Sequence, residues 1–137
     1  MANDLESALS IAASGMRAQG FRLKVVAQNI ANASSTADRT GGEPYRRRIV
    51  TFANVLDREL DAKLVEIKKV KEDSSQFSLV YDPNHPAANG EGFVEMPNVN
   101  ALVEMMDMRE AQRSYEANLN MIESSKQLMS RTIGLLR

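Results

Sequence analysis

Few residues in this chain have the types and spacing that support chemistry. Its only histidine, His85, lies in "DPNHPAAN" between two prolines. A lone imidazole works as a general base only with a partner in reach, and no serine or cysteine stands near it. The prolines therefore read as stays of a rigid loop. "EMMDM" at 104–108 offers thioethers to a soft metal, but Met105 and Met108 also fall on an apolar helical stripe, where methionine is an ordinary gap-filler. Core packing is the better account. Arg46, Arg47 and Arg48 form the one basic cluster. On a strand they alternate faces, which suits a solvated or subunit-contact role and not a phosphate cradle. "NGEGF" has too few glycines for a nucleotide loop, and the acids are scattered without a catalytic pair. Asn32-Ala33-Ser34 matches a glycosylation sequon, a pattern short enough to arise by chance. No enzyme, metal or other cofactor is expected.

Composition narrows the classes further. The 137 residues include 17 basic and 18 acidic side chains, for a formal net charge of -1. That balance lacks the electrostatic footprint of a nucleic-acid binder. Without cysteine, disulfides and thiolate sites are excluded. "MANDLESALS" has two acids and no basic residue ahead of its first apolar turn. It therefore lacks the start of a cleavable secretory signal, so any exit from the cytoplasm takes another route. No apolar run reaches membrane-spanning length, and direct membrane insertion is not expected. Only 5% of residues are aromatic, which is thin for a self-sufficient core.

The elements that position these residues begin with a seven-residue repeat over 4–33. One row is Leu9, Met16, Leu23 and Ile30; the other is Leu5, Ala12, Gln19, Val26 and Ala33. Alternating steps of three and four predict a helical seam of the coiled-coil type, about 45 Å long, with Asp4 as a candidate cap. From Val99 to Leu136 the pattern recurs. Its rows are Ala101, Met108, Tyr115, Ile122, Met129 and Leu136, then Met105, Gln112, Leu119, Lys126 and Ile133. Gln19, Gln112 and Lys126 break the seams as register-setting residues do. The two helices are expected to pair antiparallel.

Mostly small residues flank the first seam: Glu6, Ala13, Gly20 and Ala27 on one side, Ala8, Gly15, Arg22 and Asn29 on the other. Each helical glycine costs about 1 kcal/mol relative to alanine, so close packing should compensate; the bland alternative is a tolerated glycine or a short kink. The flank predicts more neighbouring helices than one chain supplies. Two asparagines, Asn29 and Asn32, sit three apart in "VVAQNIANASS". Their amides compete for backbone groups, so either the helix ends there or that side meets something polar.

Between the helices, "SSTADRTGGEP" reads as loop. Strands are expected in "YRRRIVTFANVL", "AKLVEIKKVKE" and "QFSLVYD", with a short extended "FVEMP" after a turn-rich stretch. This middle is too small to stand alone. The fold class is α+β, with a first helix over 1–33, a loop and small β-rich region over 34–97, and a second helix over 98–137.

The quoted stretches also carry a resemblance. "SALSIAASGMRAQGFRLKVVAQNIANASS" resembles the N-terminal signature of the bacterial flagellar axial proteins, the rod and hook family. "YDPNHPAANGEGFVEMPNVN" and "EMMDMREAQRSYEANLNMIESSKQLM" are similar to its proximal rod branch. The likeness is least over 34–76. It implies a structural subunit of the basal-body rod, stacked helically with copies of itself and with proximal and distal rod proteins. It further implies contact with a basal-body ring or export-gate adaptor, export by the flagellar type III apparatus without signal cleavage, and residence across the periplasmic span. Terminal helices would line the inner tube. The assembly interface is then expected to use Leu9, Gly15, Met16, Leu23, Asn29, Ile30 and Asn32 on the first helix. On the second it would use Met108, Tyr115, Leu119, Ile122, Met129, Ile133 and Leu136. Asn29 and Asn32 would end the inner helix, binding exposed carbonyls or a neighbouring subunit. A free-standing coiled-coil adaptor is the alternative.

Overall fold

A computed structural model describes residues 2–135. Helix α1 spans Ala2–Ala31 and helix α2 spans Ala101–Leu135. Between them lie β1 (Arg48–Asp57), β2 (Ala62–Glu72), β3 (Ser78–Tyr81) and β4 (Phe93–Met96). The fold is α+β, as the heptads and the strand-like middle predict. Asp4 sits inside the first turn of α1 and not at its cap, where a carboxylate complements the helix dipole. The strands form two two-stranded sheets, β1 with β2 and β3 with β4. The β3–β4 pair is antiparallel, with Ser78 opposite Met96 and Tyr81 opposite Phe93.

The chain forms two compact units. The first combines α1 up to Leu23, the hairpin from Val50 to Lys69, and α2 from Arg109 onward. Within it α1 lies between two partners. On one side a Cβ built on Gly15 would fall 2.9 Å from the Asn118 amide, and one on Gly20 would fall 3.6 Å from the Tyr115 ring. Arg22 approaches Glu110 at 3.7 Å. Ascending positions on α1 thus meet descending positions on α2, and the helices run antiparallel. On the other side Ser7 donates to the Leu60 carbonyl and Ser14 accepts from the Val65 amide. The buried residues here are small: Ala12, Ser14, Ala18, Ala62, Ala111 and Ser125.

That core corrects the expected register of α2. Met108, Tyr115 and Ile122 are partly buried as predicted, but the second inward row is the buried Glu104, Ala111 and Ser125 with the partly buried Asn118. Met105, Gln112, Leu119, Lys126 and Ile133, one position later, are exposed. One residue is about 100° of helix rotation, enough to turn a row from partner to solvent. At Gly15 the close approach admits the Asn118 amide, which places the row of Asn118 toward α1. Gln19, expected as a polar break, has a buried Oε1 with no hydrogen-bond partner among the described residues.

The second unit combines Lys24–Ile49 with Val70–Met108. Its apolar core is Val25, Val26 and Val94. The loop after α1 is tied to the loop before β4. Thr36 meets His85 Nε2 at 3.2 Å, and Thr40 donates to the carbonyls of Pro86 and Ala88. His85 Nδ1 accepts from the Ala87 amide, so the imidazole braces the loop, as its prolines suggested. Gly92 has φ +84 and lies under the Tyr81 ring, 2.9 Å from where a Cβ would stand. Tyr81 meets Phe93 edge to face at 5.3 Å.

Candidate assembly interface

The end of α1 shows why its two asparagines differ. Asn32 Nδ2 donates to the Gln28 carbonyl at 2.8 Å, and its Oδ1 accepts from Ser35. The Gln28 carbonyl also accepts the Asn32 backbone amide at 3.0 Å, so Asn32 is bonded twice to the last turn of the helix as the chain turns away. Asn29 is buried, and its amide is fully used. Nδ2 donates to the Arg48 carbonyl (2.8 Å) and to Glu104 Oε2 (3.0 Å). Oδ1 accepts from the Tyr45 hydroxyl (2.9 Å) and the Arg48 amide (3.0 Å). A primary amide has two donors and two acceptor sites, so Asn29 has nothing left for a neighbouring subunit. Both asparagines bind their own chain.

Around Asn29 lies a polar cluster that the sequence did not reveal. Glu104 is fully buried in the first turn of α2, whose amides at Leu102 and Val103 are capped by Asn100 Oδ1. Its Oε1 accepts from Arg47 Nε. Arg47 also reaches Asp73 at 3.4 Å and Asp107 at 3.6 Å. Burial works against the Arg47 charge, but the bonds and charges of Glu104 and Asp73 prevail and hold its pKa above the usual value. The Asp73 carboxyl is held below its usual range, first by the Ser75 amide and also by Arg47. Burial raises the Tyr45 hydroxyl; Arg48 opposes that rise while Glu104 and Glu72 add to it. The solvated or subunit-contact role expected of the arginine triplet therefore does not hold for Arg47. Arg46 stacks on Phe77 at 4.2 Å, and Arg48 alone is exposed. The available signal was Glu104, which falls seven residues before Ala111 in a buried row.

Apart from Asn29 and Asn32, the expected interface residues fall into three groups. Leu9, Gly15, Met16, Leu23, Ile30, Met108, Tyr115 and Ile122 are partly buried within their own chain. Gly15 in particular faces Asn118 of this chain's α2. Leu119, Met129 and Ile133 are exposed, Ile133 at 61%. Leu136 lies outside the described residues. The heptad rows include none of a further apolar set on α2: Leu102, Met106, Met121, Leu128 and Leu135, exposed by 53–88%. The seven-residue spacing of Met121, Leu128 and Leu135 was its signal. So many exposed large apolar side chains on one helix exceed the scattered singles of an ordinary surface.

Among the described residues, no group of three or more His, Cys, Asp or Glu is arranged to hold a metal ion. No helix is long and apolar enough to cross a membrane.

Comparison with known proteins places this arrangement. Residues 9–37 match the family described as flagella basal body rod protein, and residues 91–135 match the flagellar basal body rod FlgEFG protein C-terminal family. The flagellar basal-body rod protein FlgC of Agrobacterium fabrum is 50% identical, over 97% of this chain and 96% of its own. The FlgC proteins of Bacillus subtilis and Salmonella typhimurium are each 38% identical, covering 93% and 91% of this chain and 95% and 92% of their own lengths. With identity at this level running through both helices and the strands between them, the chain belongs to the FlgC family of flagellar basal-body rod proteins.

Proposed function

We propose that this protein is a structural subunit of the bacterial flagellar basal-body rod, polymerising helically with copies of itself and with other proximal and distal rod proteins. In that role it forms part of a hollow shaft that transmits torque and passes exported subunits. The observation that carries this reading is the outer face of α2, where Leu102, Met106, Met121, Leu128 and Leu135 are exposed in one chain. Burial of such side chains against neighbours contributes about 1.5–3 kcal/mol each before ordering costs. A helix that leaves so many large apolar side chains exposed suits a subunit finished by its neighbours. Leu119, Met129 and Ile133 add to the exposed apolar surface of α2 in this reading, and Gly15 supports it indirectly by setting the helix spacing.

Export by the flagellar type III apparatus without signal cleavage, contact with a ring or export-gate adaptor, and residence in the periplasmic span belong to the same reading. The free-standing adaptor finds no support in the family matches. Replacing Met121 and Leu128 by Gln in a strain lacking its own FlgC tests the proposal. Secretion should persist while completed rods are lost. Rods at normal abundance would show that this face is not an interface.

A further inference from the structure

Glu104 has both carboxylate oxygens committed to groups far away in sequence: Oε1 to Arg47 and Oε2 to Asn29, 57 and 75 positions distant. Through them the cluster joins the end of α1, the entry to β1, the turn at Asp73 and the first turn of α2. Asp107 and Asp73 flank the guanidinium, Tyr45 and the Arg48 backbone close on the Asn29 amide, and Glu72 acts on Tyr45 from a distance. Such a set closes together or not at all. Removing Glu104 strips the buried Asn29 amide and the Arg47 guanidinium of their shared carboxylate, and such a penalty exceeds the net worth of the lost bonds. Any chain that emerges N-terminus first presents Asn29, Tyr45 and Arg47 long before Glu104.

From this geometry we infer that Glu104 is a folding-order clasp: the segment from Asn29 to Arg48 stays open until the first turn of α2 arrives and locks it. The anion that completes the Asn29–Arg47 pair is supplied by the last third of the chain, so most of the chain must be available before the second unit closes.

Two amides report directly on the clasp. The Arg48 amide donates to Asn29 Oδ1, and the Glu104 amide donates to the Asn100 carbonyl in the same first turn. The Val65 amide, held by Ser14 in the other unit, serves as the internal control. In full-length E104A, hydrogen exchange at Arg48 should accelerate roughly tenfold or more, with much less change at Val65. The R47M/E104L pair, which removes both charges, should bring Arg48 back to within about threefold of wild type. Equal acceleration at Val65 would reduce the effect to general destabilisation and overturn the proposal, as would an unchanged Arg48. Should E104A fail to fold, pulse-labelled refolding of the wild-type chain decides. Arg48 and Glu104 should gain protection in one phase, and protection of Arg48 first would contradict the clasp.

Discussion

Asn29 and Glu104 stand 75 positions apart and share a 3.0 Å hydrogen bond between two side chains that water does not reach. Because the amide also holds Tyr45 and both backbone groups of Arg48, deleting it removes four bonds at once and leaves the buried Glu104 without one of its partners. Asn29→Ala should destabilise the protein by about 3 kcal/mol, at the upper end for a point change. Asn29→Asp sets a second carboxylate against Glu104 and should cost more at neutral pH. Chemical denaturation followed by far-UV circular dichroism measures both, and a loss under about 1 kcal/mol for Asn29→Ala would refute the role given to this amide.

The same cluster gives stability a pH dependence on two sides. The native Asp73 carboxyl titrates below its ordinary value of 3.8. Its contribution is therefore complete above that value and is lost as pH falls through the lower native one. The native Tyr45 hydroxyl titrates above its ordinary 10.0, so its contribution is complete below that and is lost as pH rises through the native value. Asp73→Asn should flatten the acid limb of a stability–pH curve and Tyr45→Phe the alkaline limb. If each variant keeps the wild-type slope on its own limb, these groups do not set it.

Helix spacing rests on Gly15, whose missing side chain admits Asn118. Gly15→Leu should force α1 and α2 apart and cost about 1–3 kcal/mol in the isolated chain. A compensating Asn118→Gly change should recover part of that loss. Gly20 is different, because a methyl there meets the Tyr115 ring at an ordinary 3.6 Å. Gly20→Ala should stabilise by about 0.5–1 kcal/mol through helix propensity. A double-mutant cycle for the first pair and one melting curve for the second settle both.

The far end of α2 contributes little to its own chain, since Ile133 and Leu135 are exposed by 61% and 88%. Ending the chain at Ser130 should leave its stability within about 0.5 kcal/mol of the full chain. Secretion should continue, but the truncated protein should not hold its place in a rod. A marked drop in the melting midpoint would place these residues in the intrachain fold instead.

Much of this architecture was legible because heptads and alternation report directly on helices and strands. β2 falls on "AKLVEIKKVKE" as read, and both long helices end within a few residues of expectation. The register of α2 was not legible, because apolar content misleads where two helices approach closely. Gly15 admits Asn118, in a row with the buried Ala111 and Ser125, while the larger Met105 and Leu119 are exposed. Nor was the Arg47–Glu104 pair legible. Local periodicity carries no information about which buried acid meets which base across 57 positions. Asn29 and Asn32 stood out as a question, and only the tertiary structure separates the helix-ending Asn32 from the core-forming Asn29.

The most direct test of the central claim is composition. Basal bodies purified from a strain whose own FlgC is replaced by a tagged copy of this chain are analysed by quantitative mass spectrometry, alongside swimming assays. The tagged chain should copurify with the rod at a fixed ratio to the other rod proteins, and motility should return. A chain that is secreted and folded yet absent from purified basal bodies, in cells that remain non-motile, would contradict its role as a rod subunit.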